Sequence, residues 1–135
     1  MRYLGIDYGS KKVGLALSDE GGTMGFPRAV VPTAGIELVL RKLIADERVE
    51  VVVIGESKNL DGSDNPIASD ARALATAITE TFGLPVYFEP EMFTSAEARR
   101  ARDESRTGRS PKDESDVDAS AAALILTSYL SKHHD

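Results

Sequence analysis

The sequence predicts an α/β domain built on a five-stranded mixed sheet, three antiparallel strands followed by two parallel ones, flanked by helices. Three observations carry this expectation. The N-terminal third consists of apolar, β-rich runs separated by short turns, and strands joined that closely pair antiparallel. The remainder alternates strand-like runs with segments of 3.6-residue apolar periodicity, the signature of parallel crossovers. The length of 135 residues suits one domain with one core, and no repeat or linker divides it, so 1–135 reads as a single unit.

The first strand, Leu4-Gly-Ile-Asp7-Tyr, and the second, Val13 to Ser18, are joined by Gly9-Ser-Lys11-Lys12. Asp7 stands inside the first strand, where a hydrophobe would cost less to bury, so it needs a metal ion, a cation or backbone donors as partner. Glu20-Gly21-Gly22-Thr23 turns the chain into a third strand, Met24 to Val31, whose Pro27 lacks a ladder donor and belongs on a sheet edge. Thr33 is positioned to cap a helix with Ile36, Val39, Leu40, Leu43 and Ile44 on one face. The β-branched run Val51 to Ile54 suits an interior strand covered on both faces, ended by Gly55.

A polar loop from Glu56 to Asn65 follows, longer than most strand-to-helix connections. Asn65-Pro66 opens a helix carrying Ile67, Ala71, Leu74, Ala75, Ile78 and Phe82, stopped by Gly83 and Pro85. Pro85 to Glu89 is the fifth strand. Thr94 and Glu97 have capping-box spacing for a further helix, broken by Gly108 and Pro111. The last helix opens near Ser115 and presents Ala119, Ala122, Ala123, Leu126 and Leu130, small enough for close packing on the sheet. The terminal His133-His134 reads as a solvated end.

Composition narrows the chemistry. Without cysteine there is no disulfide, thiolate metal site or Cys nucleophile, which leaves carboxylates, hydroxyls, Lys, His and oxygen-bound metal. No apolar run approaches the about 18 residues of a membrane span, and the N-terminus enters a strand pattern without a signal-peptide profile, so a cytoplasmic protein with no membrane partner is expected. The net charge of −6 argues against indiscriminate nucleic-acid coating. One segment departs from that average: Arg99, Arg100, Arg102, Arg106, Arg109 and Lys112 outnumber Asp103 and Glu104. On charge alone it equally describes a solvated helix face.

Right-handed crossovers can bring the carboxyl ends of strands one, four and five together. Asp7, Glu56 and Glu91 stand at or just beyond those ends, and carboxylates converging without Cys form a ligand set for hard cations, Mg²⁺ or Mn²⁺. Asp118 lies in the first turn of the last helix, where an acid is equally explained by the macrodipole.

The residues resemble a known family at this point. Gly5-Ile-Asp7-Tyr-Gly9 with Val13-Gly14-Leu-Ala, then Gly55 with Asn59-Leu-Asp61-Gly62, then Glu91 ahead of Thr94-Ser-Ala-Glu97-Ala, and finally Val117-Asp118 with Ala121-Ala, look like the YqgF/RuvX family, in its order from about Arg2 to Leu130. The resemblance implies a ribonuclease H-like fold and a hydrolytic nuclease, linked in bacteria to 5′-end maturation of pre-16S rRNA and named for Holliday junction resolution. It implies Asp7, Glu91 and Asp118 as the metal-binding triad. Glu56 resembles the second catalytic acid of related resolvases, which follows the fourth strand. The chain departs from the family pattern in three places: Gly55-Glu56-Ser57-Lys58 stands where it usually has Gly-Leu-Pro, Pro90 and Met92 flank Glu91 in place of Asp and Arg, and Asp116 replaces a basic residue.

The mechanism so implied uses two ions about 4 Å apart to activate water and stabilise the leaving 3′ oxygen. Lys11, Lys12, Lys58, Asn59, Arg99, Arg100, Arg106 and Arg109 are the expected nucleic-acid contacts, for structured RNA or branched DNA. Aromatics at 6% give little scope for base stacking, so recognition of backbone and shape is expected over sequence readout. A monomer or weak homodimer is expected. Two other readings remain at this stage: a nucleotide-binding fold of the actin or sugar-kinase kind, whose first strand starts similarly, and a degenerate member that binds RNA or protein without cleaving.

Overall fold

The computed structural model describes residues 1–9, 11–56, 66–90 and 114–132, of which 66–68 and 114–118 are described as helical backbone. Strands β1 (Arg2–Tyr8), β2 (Lys12–Ser18) and β3 (Gly25–Pro32) come first, followed by α1 (Ile36–Glu47), β4 (Val49–Glu56), α2 (Pro66–Phe82), β5 (Val86–Pro90) and α3 (Glu114–Lys132). The five strands form one sheet in the order β3-β2-β1-β4-β5. The β1–β2 and β2–β3 pairs are antiparallel, and β1–β4 and β4–β5 are parallel. This is the expected sheet, with β3 and its Pro27 at an edge. The helix expected after Thr94 lies outside the described residues.

Strand alternation divides the apolar residues between two layers. Leu4 and Ile6 of β1 and Val52 and Ile54 of β4 pack with Leu40, Leu43, Leu74 and Ile78 of α1 and α2. On the other face, Ala16 and Val53 pack with Ala122, Ala123, Ile125 and Leu126 of α3. Consecutive β4 residues therefore serve opposite layers, which is why its sequence is an unbroken β-branched run rather than an alternating one.

Helix α3 comes unusually close to the sheet. A Cβ on Gly5 would stand 2.9 Å from the Leu126 Cβ and 3.0 Å from the Ala122 carbonyl, and one on Gly25 would meet the same Leu126 Cβ at 2.9 Å. The Gly25 N–H donates to the Thr127 hydroxyl at 3.0 Å. Side-chain-free positions on β1 and β3 thus form a seat for the small-residue face of α3.

Two local expectations are corrected, those for Thr33 and Gly55. The Thr33 hydroxyl does not cap α1; it donates to the Gly9 carbonyl at 2.8 Å, and α1 begins after Gly35 in the left-handed region (φ 83°) with no side-chain cap. Helix α1 ends on Arg48, also left-handed (φ 54°), where no glycine announces the stop. Strand β4 runs past Gly55 to include Glu56, because its ladder with β5 continues through Gly55–Glu89 and Glu56–Pro90. Gly83 does end α2, with φ 71° and its N–H on the Thr79 carbonyl at 2.9 Å.

The far end of α3 is fastened to β5 by a buried carboxylate. Glu89 is 2% exposed and accepts from the Ser128 hydroxyl at 2.7 Å and the Lys132 ammonium at 2.6 Å. Lys132 is 51% exposed, so the two partners are not equivalent on removal. Lys132→Met strands a buried charge and is expected to cost about 2 kcal/mol, whereas Glu89→Gln keeps an acceptor for Ser128, releases Lys132 to water and costs about 1 kcal/mol. Urea denaturation of both variants checks this order, and the reverse order contradicts it.

The β2–β3 turn is held by Asp19, which accepts from the Thr23 hydroxyl and N–H at 2.8 Å and from the Met24 N–H at 3.0 Å. The Thr23 hydroxyl first, then these backbone donors, lower its carboxyl from 3.8 to about 2. A depressed folded value means that the turn's contribution is complete above about pH 4 and is lost as the pH falls towards 2. Asp19→Asn is expected to flatten the stability profile across that interval, measured by thermal melts at stepped pH; an unchanged profile would contradict it.

Candidate functional site

Asp7 is the penultimate residue of β1, opposite Gly14 of β2, with its side chain half-buried. Alternation groups it with Tyr3 and Gly5 on the face that α3 covers, whereas Leu4, Ile6 and Tyr8 face α1 and α2. The course of α3 then locates Asp118. The Tyr3 ring lies against that of Tyr129 with centroids 6.2 Å apart, and Gly5 lies under Leu126 and Ala122. Helix α3 therefore runs antiparallel to β1, and position 118, one turn before Ala122, continues towards the strand end that carries Asp7.

Two devices fix the turn after Asp7. A Cβ on Gly9 would stand 2.5 Å from the Lys12 carbonyl, so the chain closes this tightly only with glycine there. Thr33 then grips the turn from the end of β3, its hydroxyl on the Gly9 carbonyl at 2.8 Å and its N–H on the Lys11 carbonyl at 2.9 Å. Lys11 and Lys12 are exposed beside this turn, Lys12 as the first residue of β2 opposite Pro32. The expected lysines thus flank the β1 terminus.

Glu56 closes β4 with its side chain partly exposed, in step with Val52 and Ile54 on the α1/α2 side. It stands at the same strand-end level as Asp7 but belongs to the opposite face. Next to it in the sheet, the phenol of Tyr8 is pushed up by burial first and then by the Asp70 carboxylate of α2. Glu89 lies on the same face as Asp7 and pairs with Gly55, yet Ser128 and Lys132 already engage its carboxylate.

Glu91, Lys58, Asn59, Arg99, Arg100, Arg106 and Arg109 lie outside the described residues, as does the side chain of Asp118. Among the described residues, no group of three His, Cys, Asp or Glu side chains forms a metal cage. The donor chemistry around Asp7 nevertheless fits a hard cation: a half-buried carboxylate at a strand end, with a second acid on the helix that approaches it. The backbone geometry brings Asp7 and position 118 to the same end of the fold.

The sequence reading missed an aromatic cluster on this face. Tyr87 of β5 stacks on Tyr129 with centroids 5.7 Å apart and an interplanar angle of 21°, and Tyr3 closes on Tyr129 from β1. The Tyr129 phenol is pushed up by burial, then by Tyr87, Tyr3 and Glu89. These tyrosines come from three elements far apart in the chain, so no local pattern could have disclosed them. Among the described residues, no helix is long and apolar enough to cross a membrane.

Known proteins are similar to this chain in sequence and in fold. The chain is 38% identical over 134 residues to a candidate pre-16S rRNA nuclease of Nitratidesulfovibrio vulgaris, covering 96% of this chain and 93% of that one. A protein of the same name from Pediococcus pentosaceus is 35% identical over 139 residues, covering 98% and 94%. In three dimensions the chain is similar to Thermus thermophilus RuvC, solved in complex with a Holliday junction substrate, with a TM-score of 0.60, 20% identity, and coverage of 98% of this chain and 95% of that one. That likeness establishes a RuvC-like, ribonuclease H-type fold. A family model described as "RuvX: Holliday junction resolvase" matches residues 1–132, and the chain therefore belongs to the RuvX family.

Proposed function

We propose that this protein is a metal-dependent endonuclease that hydrolyses phosphodiester bonds of structured RNA, with the 5′ end of pre-16S rRNA as its substrate. The observation that carries this reading is Asp7, a carboxylate at the end of the central strand of a ribonuclease H-type sheet, approached by the start of α3 with Asp118. The names of the relatives from N. vulgaris and P. pentosaceus support the substrate. Asp7, Glu91 and Asp118 would hold Mg²⁺ or Mn²⁺, with Glu56 as an outer ligand from the opposite face. Bound there, such ions supply water activation and stabilisation of a leaving 3′ oxygen, giving a 5′ phosphate and a 3′ hydroxyl.

The chain's own residues position the reaction. The Gly9 turn, gripped by Thr33, keeps the β1 terminus from drifting, so that Asp7 meets its ligand in a fixed orientation. Lys11 and Lys12 extend from that turn into solvent, where they neutralise phosphates flanking the scissile bond. Lys58, Asn59 and the arginines at 99, 100, 106 and 109 lengthen this contact. The protein acts in the cytoplasm, where precursor rRNA is found.

The family's description favours a second reading, resolution of branched DNA. A resolvase makes two coordinated cuts and so requires a homodimer on the junction. Wild type and Asp7→Asn, assayed with Mg²⁺ on a precursor rRNA fragment, a four-way junction and single strands, separate these readings. Asp7→Asn is expected to fold normally and to lose cleavage by about a hundredfold or more. Equal cleavage by Asp7→Asn, or no metal-dependent cleavage of any substrate, refutes the nuclease. Paired cuts in the junction by a dimer, with the rRNA fragment intact, select the resolvase.

A further inference from the structure

Among the tyrosines of the α3 face, Tyr87 differs from the others. Tyr129 is buried, 9% exposed, and Tyr3 is packed against it, whereas Tyr87 is 46% exposed. One face of its ring is spent on Tyr129 at 5.7 Å and a nearly parallel 21°, which fixes the ring's plane. An aromatic ring held flat at low entropic cost is a preformed surface for stacking another planar group. Two residues on along the same side of β5, Glu89 holds the Lys132 ammonium at 2.6 Å. Glu89 is buried while Lys132 is half-exposed, so the solvent-facing member of this ion pair is the ammonium, which keeps N–H donors for a further acceptor.

The sheet register relates this ring to Asp7. Tyr87 pairs with Val53 of β4, Val53 pairs with Gly5 of β1, and Asp7 is two residues beyond Gly5 on the same face. Two strand spacings and a two-residue rise put the two positions about 12 Å apart, the span of a few stacked nucleotides. We propose that Tyr87, backed by Tyr129 and flanked by Lys132, is a stacking subsite for an unpaired nucleobase of the RNA strand whose backbone passes Asp7, with the ammonium on an adjoining phosphate. The subsite rests on the nuclease reading and gives it a preference for substrates with unpaired nucleotides near the cut. It adds one stacking position to a chain whose aromatic content leaves little scope for base stacking.

The test measures binding separately from cleavage. In the Asp7→Asn background, fluorescence anisotropy with a labelled RNA that has a single-stranded extension is expected to show affinity reduced roughly 5- to 100-fold by Tyr87→Ala. Tyr87→Leu, which keeps apolar cover over Tyr129 but offers no π face, is expected to behave like Tyr87→Ala, and Tyr87→Phe like the parent. Because the chain has no tryptophan, Tyr87→Trp supplies a single indole whose emission is expected to be quenched on RNA binding. Parent-like affinity of Tyr87→Leu, or an indole unmoved by saturating RNA, overturns the subsite while Asp7-dependent cleavage still upholds the nuclease. Absence of RNA binding by the parent protein overturns both.

Discussion

The approach of α3 to β1 at Gly5 is the constraint on which the rest of the structure depends. With a bare Cα at that position, Ala122 and Leu126 settle onto the sheet at distances that any side chain would forbid, and Gly25 permits the same contact from β3. The direction of α3 along β1 follows from that seat, and with it the approach of the helix's first turns to the strand end that bears Asp7. The small-residue composition of α3 has the same origin, since Ala119, Ala122 and Ala123 let the helix lie close where larger residues would hold it off.

The two ends of α3 are thereby given different tasks. Its C-terminal half is fastened by a buried ionic bond to Glu89 and by aromatic packing around Tyr129, both of which tie it to β5. Its N-terminal turns continue towards the strand end that carries Asp7. A cation at the far end that is half in water and a carboxylate that is fully buried make a fastening whose strength lies mostly in avoiding a stranded charge. The second anchored element is the Gly9 turn, where Thr33 contributes both its hydroxyl and its N–H. Strand end and helix are thus independently anchored.

Membership of the RuvX family and the relatives' names fit this architecture, but the chain's own substitutions give it individual features. Pro90 ends β5 opposite Glu56, where the family pattern has an acid, and Glu89 one position earlier carries a buried charge committed to α3. The carboxylate of Glu89 therefore stabilises the fold and is engaged away from Asp7. Glu56 belongs to the sheet face opposite Asp7, which makes it a peripheral participant in the proposed chemistry.

How much was legible beforehand follows from the range of the interactions concerned. Periodicity and turn residues determined the strand and helix order, the edge position of β3 through Pro27 and the doubly covered β4, because each depends on residues close in sequence. The ordered motifs around Asp7, Glu91 and Asp118 likewise identified the family. The function of Thr33 was misread because its hydroxyl had a competing acceptor, the Gly9 carbonyl, in a turn 24 residues earlier. The Gly55 stop failed because pairing with β5 extends β4, and Arg48 ends α1 in a conformation for which its residue type gives no signal. The tyrosine cluster, the burial of Glu89 and the face occupied by Glu56 were decided only by the tertiary structure. Each depends on which strand lies beside which and on where α3 crosses them, and those are properties of the assembled sheet, not of any stretch of chain.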